Sequence, residues 1–574
     1  MDYGQMLRQF QEDSEVITKK LEYWAQRTGD KTFFYYGDED RPISYREFNL
    51  LSNRIARNLQ ALGIKKGDRI SLFLRNALMT TLAMFGIWKI GAVFCPVNFN
   101  FRGRLLSYQL NDTNPRMIIT EQAMIPLLND IGSDLGGLDL ILYQPRKDEH
   151  DYNADAMSAV PDKQFKIHPF QDLLTGDGAN PEVEISFRDP ASLIYTSGTT
   201  GPAKGVLQPH RWVINYIWFP TKISNQDDVV YTELPLYHVA GAFGMVGKAV
   251  FNGNTVGIWE RFSPTDYWNR INKIGATMAV MLDVMIPWLM MAPESPADRN
   301  NTLNKVVLVP LPSYHHDLAH RFGIDFVTSV YASSEVGSAT MGIIDEFMDE
   351  EGTPPALWKG LSKEELRKRA GEYDIELRTW KDELKKGFIA RPCAFHEAAV
   401  LNDRDEPCAP GEVGQFCFRP RVPYLFFLEY LNKPETTLAA FRNQWYHSGD
   451  MGSYDEDGVF YFADRKAGFM RSRGENFSSF QVEDIMTSHP AIGMAAVFPI
   501  PAEEGGEDDV VAFLILKAGE TIEEGALRDW MKTQMPKYMW PKYIRFVDDF
   551  PKTPTLKVEK YKLKEQLLAE LGKK

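Results

Sequence analysis

Short apolar runs of strand type alternate with helix-like stretches along the first half of the chain. The helical pattern "ALMTTLAMFGIWKIG" separates the strand-type runs at 69–75 and 92–98. Further strand-type runs follow at 115–121, 228–235, 255–260 and 277–282. Because strands that alternate with helices favour layered structure with largely parallel sheets, the pattern predicts an α/β fold.

The length of 574 residues exceeds what one hydrophobic core can organise, since single cores stop growing near about 250–300 residues. Short strands with Pro and Gly turns over 397–422 indicate a β region. We therefore predict a large N-terminal domain of layered α/β subdomains plus this β region, residues 1–464. A small C-terminal α+β domain, residues 465–574, has its own strands and amphipathic helices.

The stretch 345–387 differs in composition from the rest of the large domain. It is highly charged and mostly helix-favouring, and Ser362 with Glu365 forms a capping-box pair. We expect a charged insertion on the surface. A lid over the site or an oligomer contact is the alternative.

The overall composition excludes several classes of protein. A net charge of −14 disfavours nucleic-acid binding, which usually needs a basic surface. The first thirty residues lack the basic start and apolar stretch of a signal peptide, and no run reaches the roughly 18 apolar residues of a membrane span. Four scattered cysteines show neither metal-binding spacing nor a dense disulfide framework. We expect a cytoplasmic protein with no nucleic acid partner and no transmembrane segment.

The stretch "LIYTSGTTGPAKGV", residues 193–206, places glycines, hydroxyls and a lysine directly after an apolar run. Amide and hydroxyl groups that converge in such a loop bind phosphate, and Lys204 adds a positive charge. The order "GTTGPAKG" does not match the P-loop, in which lysine follows glycine directly. The loop by itself leaves a plain polar turn open.

Motifs in order along nearly the whole chain resemble those of the adenylate-forming superfamily, which includes acyl-CoA synthetases, luciferases and peptide-synthetase adenylation domains. The loop is similar to the superfamily's phosphate-binding loop. The later matches are "LPLYHVAG" (234–241), "YASSEVG" (331–337), "WYHSGDMG" (445–452), "DRKAGFMRSRGEN" (464–476) and "PKTPTLKVEK" (551–560). The departures from the usual residues are Ala332, Ser334, Ser448 and Leu556.

The resemblance implies an AMP-forming acyl-CoA synthetase, in which ATP and a carboxylate give acyl-AMP and pyrophosphate before a thiol takes the acyl group. The implied cofactors are ATP, Mg²⁺ and coenzyme A. Glu335 would bind Mg²⁺, which prefers hard oxygen ligands. Tyr331 would stack on adenine, and Asp450 would accept from the ribose with help from Arg465. The residues implied to bind ATP are Thr196, Ser197, Gly198, Thr199, Thr200, Gly201, Lys204, Tyr331, Ser334, Asp450 and Arg465.

A mobile C-terminal domain is a further implication of the resemblance. Lys557 would reach the cleft during adenylation, and the domain would then rotate to admit the thiol. We expect Lys557 rather than Lys552 or Lys560 to be catalytic, because it occupies the lysine position of the motif. Gly474 would line the coenzyme A passage. The implied hinge residues are Arg465, Lys466 and Ala467.

The acyl site is implied to contain His238, which is also a candidate catalytic residue, together with Tyr237 and Phe243. The string "GENFSSFQVE" looks most like the carnitine/crotonobetaine-type CoA ligases, which implies an acid with a quaternary ammonium near aromatic faces or a carboxylate such as Asp283. Asp283 also sits where a helix would begin, and the role of N-cap is favoured for it. The apolar "VMIPWLMM" suits a medium-chain, aryl or steroid-like acid.

The thiol acceptor is also open. No carrier-protein domain follows the lysine motif, so free coenzyme A is the expected acceptor of a small-molecule carboxylate. A stand-alone enzyme that loads a carrier protein, a luciferase-like oxidase and a catalytically silent nucleotide-binding protein are the alternatives. A homo-oligomer is left open. The charged residues that argue against a silent protein are Lys204, Glu335, Asp450, Arg465 and Lys557.

Overall fold

The computed structural model describes residues 1–13, 16–196, 203–282, 285–290, 292–312, 314–385, 387–402, 404–465, 469–502, 507–551, 558 and 560–572. The strands in these ranges are β1 (Thr32–Tyr36), β2 (Arg41–Ser44), β3 (Arg69–Phe73), β4 (Val93–Pro96), β5 (Met117–Glu121), β6 (Asp139–Tyr143), β7 (Lys166–Pro169), β8 (Pro190–Thr196), β9 (Lys204–Pro209), β10 (Val229–Thr232), β11 (Thr255–Ile258), β12 (Met278–Leu282), β13 (Lys305–Val309), β14 (Phe326–Ser333), β15 (Gly337–Asp345), β16 (Glu376–Thr379), β17 (Phe388–Ala390), β18 (His396–Leu401), β19 (Gly414–Pro420), β20 (Glu429–Tyr430), β21 (Tyr446–Tyr454), β22 (Phe460–Arg465), β23 (Phe469–Ser472), β24 (Glu475–Ser478), β25 (Ile492–Pro501), β26 (Asp508–Leu516) and β27 (Tyr543–Phe546).

The α-helices are α1 (Tyr3–Asp13), α2 (Ile17–Arg27), α3 (Tyr45–Ala61), α4 (Ala77–Lys89), α5 (Gly103–Thr113), α6 (Ile125–Asp130), α7 (Phe170–Leu173), α8 (His210–Lys222), α9 (Lys248–Asn252), α10 (Tyr267–Ile274), α11 (Ile286–Met290), α12 (His315–Phe322), α13 (Lys363–Glu372), α14 (Pro434–Ala440), α15 (Ser479–Thr487), α16 (Glu524–Gln534) and α17 (Lys560–Glu570). A π-helix, Ala240–Gly247, leads into α9.

Two large sheets dominate the described part of the chain. One has nine strands in the order β16-β15-β14-β13-β12-β10-β11-β1-β2, and the other has eight in the order β20-β9-β8-β4-β3-β5-β6-β7. The main hydrophobic cluster joins residues of both sheets with α4, which is buried along its whole length. A helix that is apolar on every side belongs in a core. The predicted α/β layering is confirmed.

Smaller sheets complete the architecture in the described ranges. The predicted β region is part of an antiparallel five-stranded sheet, β17-β22-β21-β19-β18. The C-terminal part contains the hairpin β23–β24 and the three-stranded sheet β25-β26-β27, with α15, α16 and α17 in sequence around them. The predicted large α/β domain with a smaller α+β domain is confirmed as a fold, and the boundary at 464/465 stays a prediction.

The charged stretch 345–387 is not simply a surface decoration. The hydroxyl of Ser362 caps α13 as predicted, accepting from the amide of Glu365 at 3.2 Å. The segment "ELRT", however, forms β16, which pairs in parallel with β15 at the edge of the nine-stranded sheet. Because the sheet edge satisfies its backbone groups, tertiary pairing overrides the helix-favouring composition there.

A buried ion pair links this stretch to the sheet. Lys305 Nζ lies 2.8 Å from Asp228 Oδ1, with side-chain exposures of 1% and 0%. Asp228 also accepts from the hydroxyl of Thr277 at 2.7 Å and from the amide of Leu361 at 3.2 Å. Burial opposes the charged form of Asp228, but Lys305 and the donors of Asn225 and Thr277 outweigh it, so the pKa of Asp228 is lowered.

Two further features of the described residues concern the cysteines and the helices. All four cysteines fall within the described ranges, and each is a buried thiol that forms no disulfide there. Among the helices described, none combines the length and the apolar character needed to cross a bilayer.

Candidate active site

The phosphate-binding loop predicted from the sequence connects two antiparallel strands. In the β8–β9 pair, Thr196 lies opposite Lys204, so the two ends of the loop are held together. The hydroxyl of Tyr108 donates to the carbonyl of Ala203 at 2.8 Å and anchors the returning end. The central loop residues Ser197, Gly198, Thr199, Thr200 and Gly201 lie outside the described residues.

Lys204 and Glu335 lie close together beside a tyrosine that sequence reasoning missed. The hydroxyl of Tyr430 donates to Glu335 Oε1 at 2.9 Å, and Lys204 Nζ lies 4.5 Å from the centre of the same ring. Burial lowers the pKa of Lys204, and Glu335 partly offsets that effect. Glu335 is only 9% exposed, so its carboxylate is oriented and shielded. The group can hold an anion and a hard cation side by side.

The predicted nucleoside residues meet where the nine-stranded and five-stranded sheets approach each other. The hydroxyl of Tyr331 donates to Asp450 Oδ2 at 2.7 Å, and one face of its ring stacks on Phe418 with centroids 5.4 Å apart. Asp450 pairs across the β21–β22 ladder with Arg465. The carbonyl of Ser334 accepts from the side-chain amide of Gln208 at 2.8 Å, which ties the glutamate motif to β9.

His238 forms an ion pair with a carboxylate from the C-terminal part of the chain. Its Nε2 lies 2.8 Å from Glu475 Oε2, and the hydroxyl of Tyr237 donates to Glu475 Oε1 at 2.8 Å. Neighbouring groups partly desolvate the imidazole, which disfavours its charge although the side chain is still 46% exposed, but the Glu475 carboxylate outweighs this effect, so the pKa of His238 is raised. No pattern in the sequence pairs Glu475 with His238, because 236 other residues separate them.

The turn before Glu475 is preformed. Arg473 and Gly474 both have left-handed backbone angles, with φ of 55° and 79°, as a tight two-residue hairpin turn requires. Their amides donate to the two carboxylate oxygens of Glu507 at 2.5 and 2.7 Å. The β23–β24 hairpin therefore presents Glu475 to His238 from a fixed turn.

One face of the nine-stranded sheet is only partly covered. Val280, Val307 and Val330 lie on one face of β12, β13 and β14, because Val280 pairs with Val307 and Val307 pairs with Thr328 two residues before Val330. All three are half-buried, whereas alternate residues such as Met281 and Leu308 on the other face are fully buried. A parallel sheet covered by helices normally buries both faces, so this partial exposure indicates a cleft.

Half-buried residues also lie on α8 and at the π-helix. Tyr216, Val239 and Gly244 are half-buried, and a Cβ placed on Gly244 would lie 3.2 Å from the Tyr216 ring. Phe243, by contrast, is 0% exposed and packs against Trp88, Phe94 and Trp212. The prediction that Phe243 borders the acyl site is therefore wrong, since its ring faces the core.

Several predicted residues lie outside the described ranges. Lys557, Lys466, Ala467 and Asp283 are among them, and the side chain of Arg465 is not described. Lys560, the neighbouring candidate, is described: its Nζ lies 2.6 Å from Glu483 and 3.0 Å from the hydroxyl of Ser479. Lys560 thus joins α17 to α15.

Two protein-family models match the chain. The model for AMP-binding enzymes matches residues 21–422, and the model for their C-terminal domain matches residues 481–557. The chain belongs to the AMP-binding enzyme family. The predicted superfamily is confirmed, and so is the prediction of an AMP-forming acyl-CoA synthetase, an acid–thiol ligase.

Similar proteins match this chain over nearly its whole length. A crotonobetaine/carnitine–CoA ligase of Salmonella typhimurium (strain LT2) is 28% identical over 98% of this chain and 99% of its own. An o-succinylbenzoate CoA synthetase double mutant from Bacillus subtilis, bound with a product analogue, OSB-NCoA, gives a TM-score of 0.72 at 23% identity, covering 95% and 98% of the two chains. The same enzyme in complex with ATP and magnesium gives a TM-score of 0.58 at 22% identity, covering 95% and 99% of the two chains.

Proposed function

We propose that this family member ligates an uncharged, largely apolar carboxylic acid to free coenzyme A, using ATP with Mg²⁺. The observation that carries the proposal is the half-buried valine face of β12, β13 and β14. Such a surface binds an apolar acyl group, and a quaternary ammonium placed against it would need an aromatic cage or a counter-charge. The relatives named for crotonobetaine and carnitine favour a charged acid, so the two substrate classes can be tested directly.

In the first half-reaction we assign the phosphates to the loop between Thr196 and Lys204. A carboxylate oxygen attacks the α-phosphorus of ATP, the bond to pyrophosphate breaks, and pyrophosphate leaves with the electron pair. Lys204 would balance the charge of the phosphates. Glu335 fits a Mg²⁺ site, because it supplies a shielded carboxylate oxygen, and Mg²⁺ is often held by one or two carboxylates plus substrate phosphates. When bound, the ion would neutralise charge on the phosphates.

The nucleoside would lie beside Tyr331 and Asp450. The Tyr331 ring packs on Phe418, and we assign adenine to its neighbourhood. Asp450 would accept from the ribose hydroxyls with Arg465 alongside. Lys557 would act at the α-phosphate. The engagement of Lys560 by Glu483 supports this choice between the two lysines.

In the second half-reaction we assign the docked β23–β24 hairpin to thioester formation. The thiolate of coenzyme A attacks the acyl carbonyl, and AMP leaves. Contacts of Tyr237 and His238 with Glu475 support an arrangement in which this hairpin covers the acyl site, with Gly474 at the coenzyme A passage. The higher TM-score against the complex with a product analogue than against the complex with ATP agrees with it. Rotation about residues 465–467 would break these contacts.

The substrate class predicts a clear order of rates. Uncharged medium-chain, aryl or steroid-like acids should release pyrophosphate with a kcat/KM at least about a hundredfold above that of carnitine, crotonobetaine or γ-butyrobetaine, because an unpaired cation is costly to bury. Asp283→Asn serves as the control for a hidden counter-charge. If a betaine gave the highest kcat/KM and Asp283→Asn abolished that activity, the substrate would instead be the charged acid.

Glu475→Gln should separate the half-reactions. The variant loses a charge-assisted contact to His238, which contributes about 1.5–3 kcal/mol, so thioester formation from supplied acyl-AMP should slow by roughly 10- to 100-fold while pyrophosphate exchange is nearly unchanged. The pKa of His238, followed by its NMR titration, should fall because the carboxylate that raises it is removed. The control variant Glu435→Gln, on the exposed face of α14, should change neither the half-reaction rates nor the pKa of His238. Equal slowing of both half-reactions would contradict the assignment.

A further inference from the structure

Helix α12 carries two histidines that face a buried carboxylate outside the active site. His316 and His320 are four residues apart and share one face of the helix, with ring centroids 3.9 Å apart. Glu346 follows β15, and its side chain is 0% exposed. One ligand atom from each of the three residues lies within 4.8 Å of the others.

The hydrogen bonds fix which nitrogen of His320 can bind a metal. Its Nε2 lies 2.8 Å from the carbonyl oxygen of Glu346. A carbonyl only accepts, so Nε2 carries the proton and Nδ1 keeps its lone pair. This use of one imidazole nitrogen to bond a backbone carbonyl is what orients histidine ligands in metal sites.

The carboxylate is oriented in the same way. His316 Nδ1 lies 2.9 Å from Glu346 Oε2, close to the roughly 3.3 Å that separates two ligands around a tetrahedral ion with bonds of about 2.0 Å. His315 Nδ1 lies 2.7 Å from the other oxygen, Oε1, and acts as an outer partner.

Aromatic rings hold both imidazoles in place. Trp380 stacks on His316 with centroids 5.1 Å apart and planes at 16°, and Phe347 stacks on His320 at 4.3 Å and 14°. His316 is 37% exposed, which leaves a path for an ion and an open position for water. Two imidazoles with one carboxylate are a ligand set that suits Zn²⁺.

From this geometry we propose that His316, His320 and Glu346 bind a divalent transition metal of the Zn²⁺ class. The ion displaces the proton between His316 Nδ1 and Glu346 Oε2 and accepts His320 Nδ1 as its third protein ligand. It fastens α12 to the chain that leaves β15. The site is independent of the acid and thiol assignments, since none of its residues belongs to them.

A second cluster, Glu39, His150 and Asp151, provides an internal control. Both nitrogens of His150 are occupied, with Nδ1 3.1 Å from Glu39 and Nε2 3.3 Å from Glu260. Burial lowers the pKa of His150, but these carboxylates outweigh it and raise the pKa to about 9. A protonated imidazole has no lone pair to give a metal, so this cluster should stay an ion pair near neutral pH.

The test titrates Zn²⁺ into the chelator-treated full-length protein against a chromophoric competitor, with visible Co²⁺ absorption as a second readout. Wild type and His150→Gln should each bind one Zn²⁺ ion. The Kd of each should be at least about a hundredfold lower than that of His320→Gln. His315→Gln should weaken binding by about 10–100-fold, as outer partners do. Zn²⁺ should raise the unfolding temperature of wild type but not of His320→Gln. Glu346 is left intact because its loss would threaten folding.

Two results would overturn the site. One is that wild type binds Zn²⁺ no more tightly than His320→Gln does. In that case the buried carboxylate of Glu346 is balanced only by a proton on His315 or His316. The other is loss of binding in His150→Gln with full binding in His320→Gln, which moves the ion to the second cluster. His316→Gln repeats the comparison with the second ligand, and its binding should match that of His320→Gln.

Discussion

Lys557→Ala should lose acyl-AMP formation by about a hundred- to thousandfold and still convert supplied acyl-AMP into the thioester. Removal of one preorganised charge contact to the developing transition state typically costs roughly 3–4 kcal/mol. The proposal gives Lys557 no part in the second half-reaction. Carboxylate-dependent pyrophosphate exchange and thioester formation from synthetic acyl-AMP measure the two steps separately.

The matched control for that experiment is Lys560→Ala. Its amine is held by Glu483 and Ser479, so the substitution should loosen α17 and leave the ratio of the two half-reactions unchanged. A collapse of pyrophosphate exchange in Lys560→Ala, with normal exchange in Lys557→Ala, would reverse the assignment of the catalytic lysine.

Lys305→Met should lower the free energy of unfolding by about 3–5 kcal/mol, because it leaves the carboxylate of Asp228 buried without its charge partner. Urea denaturation followed by tryptophan fluorescence measures the change. The same substitution at Lys368, whose pairs with Glu365 and Glu372 are exposed and 3.6 and 3.9 Å long, should cost less than about 1 kcal/mol. Similar unfolding midpoints for the two variants would refute the importance of the buried pair.

The sequence could predict those parts of the site that follow strands or form loops along the chain. Lys204 and Glu335 occupy such positions, and the structure brings them together beside Tyr430. Tyr430 itself was missed, because it contributes through a two-residue strand that pairs with β9 and carries no motif. Glu475 was missed as a partner of His238 for a similar reason: the contact depends on how the C-terminal part docks.

One prediction failed for a local reason, and another left out a strand. Phe243 was placed at the acyl site because it follows His238 closely, but a π-helix changes the angle between successive residues and turns its ring toward Trp88. The charged stretch after β15 was expected to be an insertion with helical character. Ser362 does begin a helix, yet β16 forms where the open edge of the sheet can pair with the chain, which no local pattern reveals.

The charged outer strand β16 also bears on how the protein behaves at high concentration. Every residue of β15 is buried, so without β16 this long strand would present unpaired amides and carbonyls to neighbouring molecules. Exposed edges of that kind template strand addition between chains. Glu376 binds Arg378 at 2.7 Å and Arg391 at 2.8 Å, which fills the outermost position with salt bridges. Chains shortened between 345 and 387 should therefore aggregate before their chemistry can be assayed.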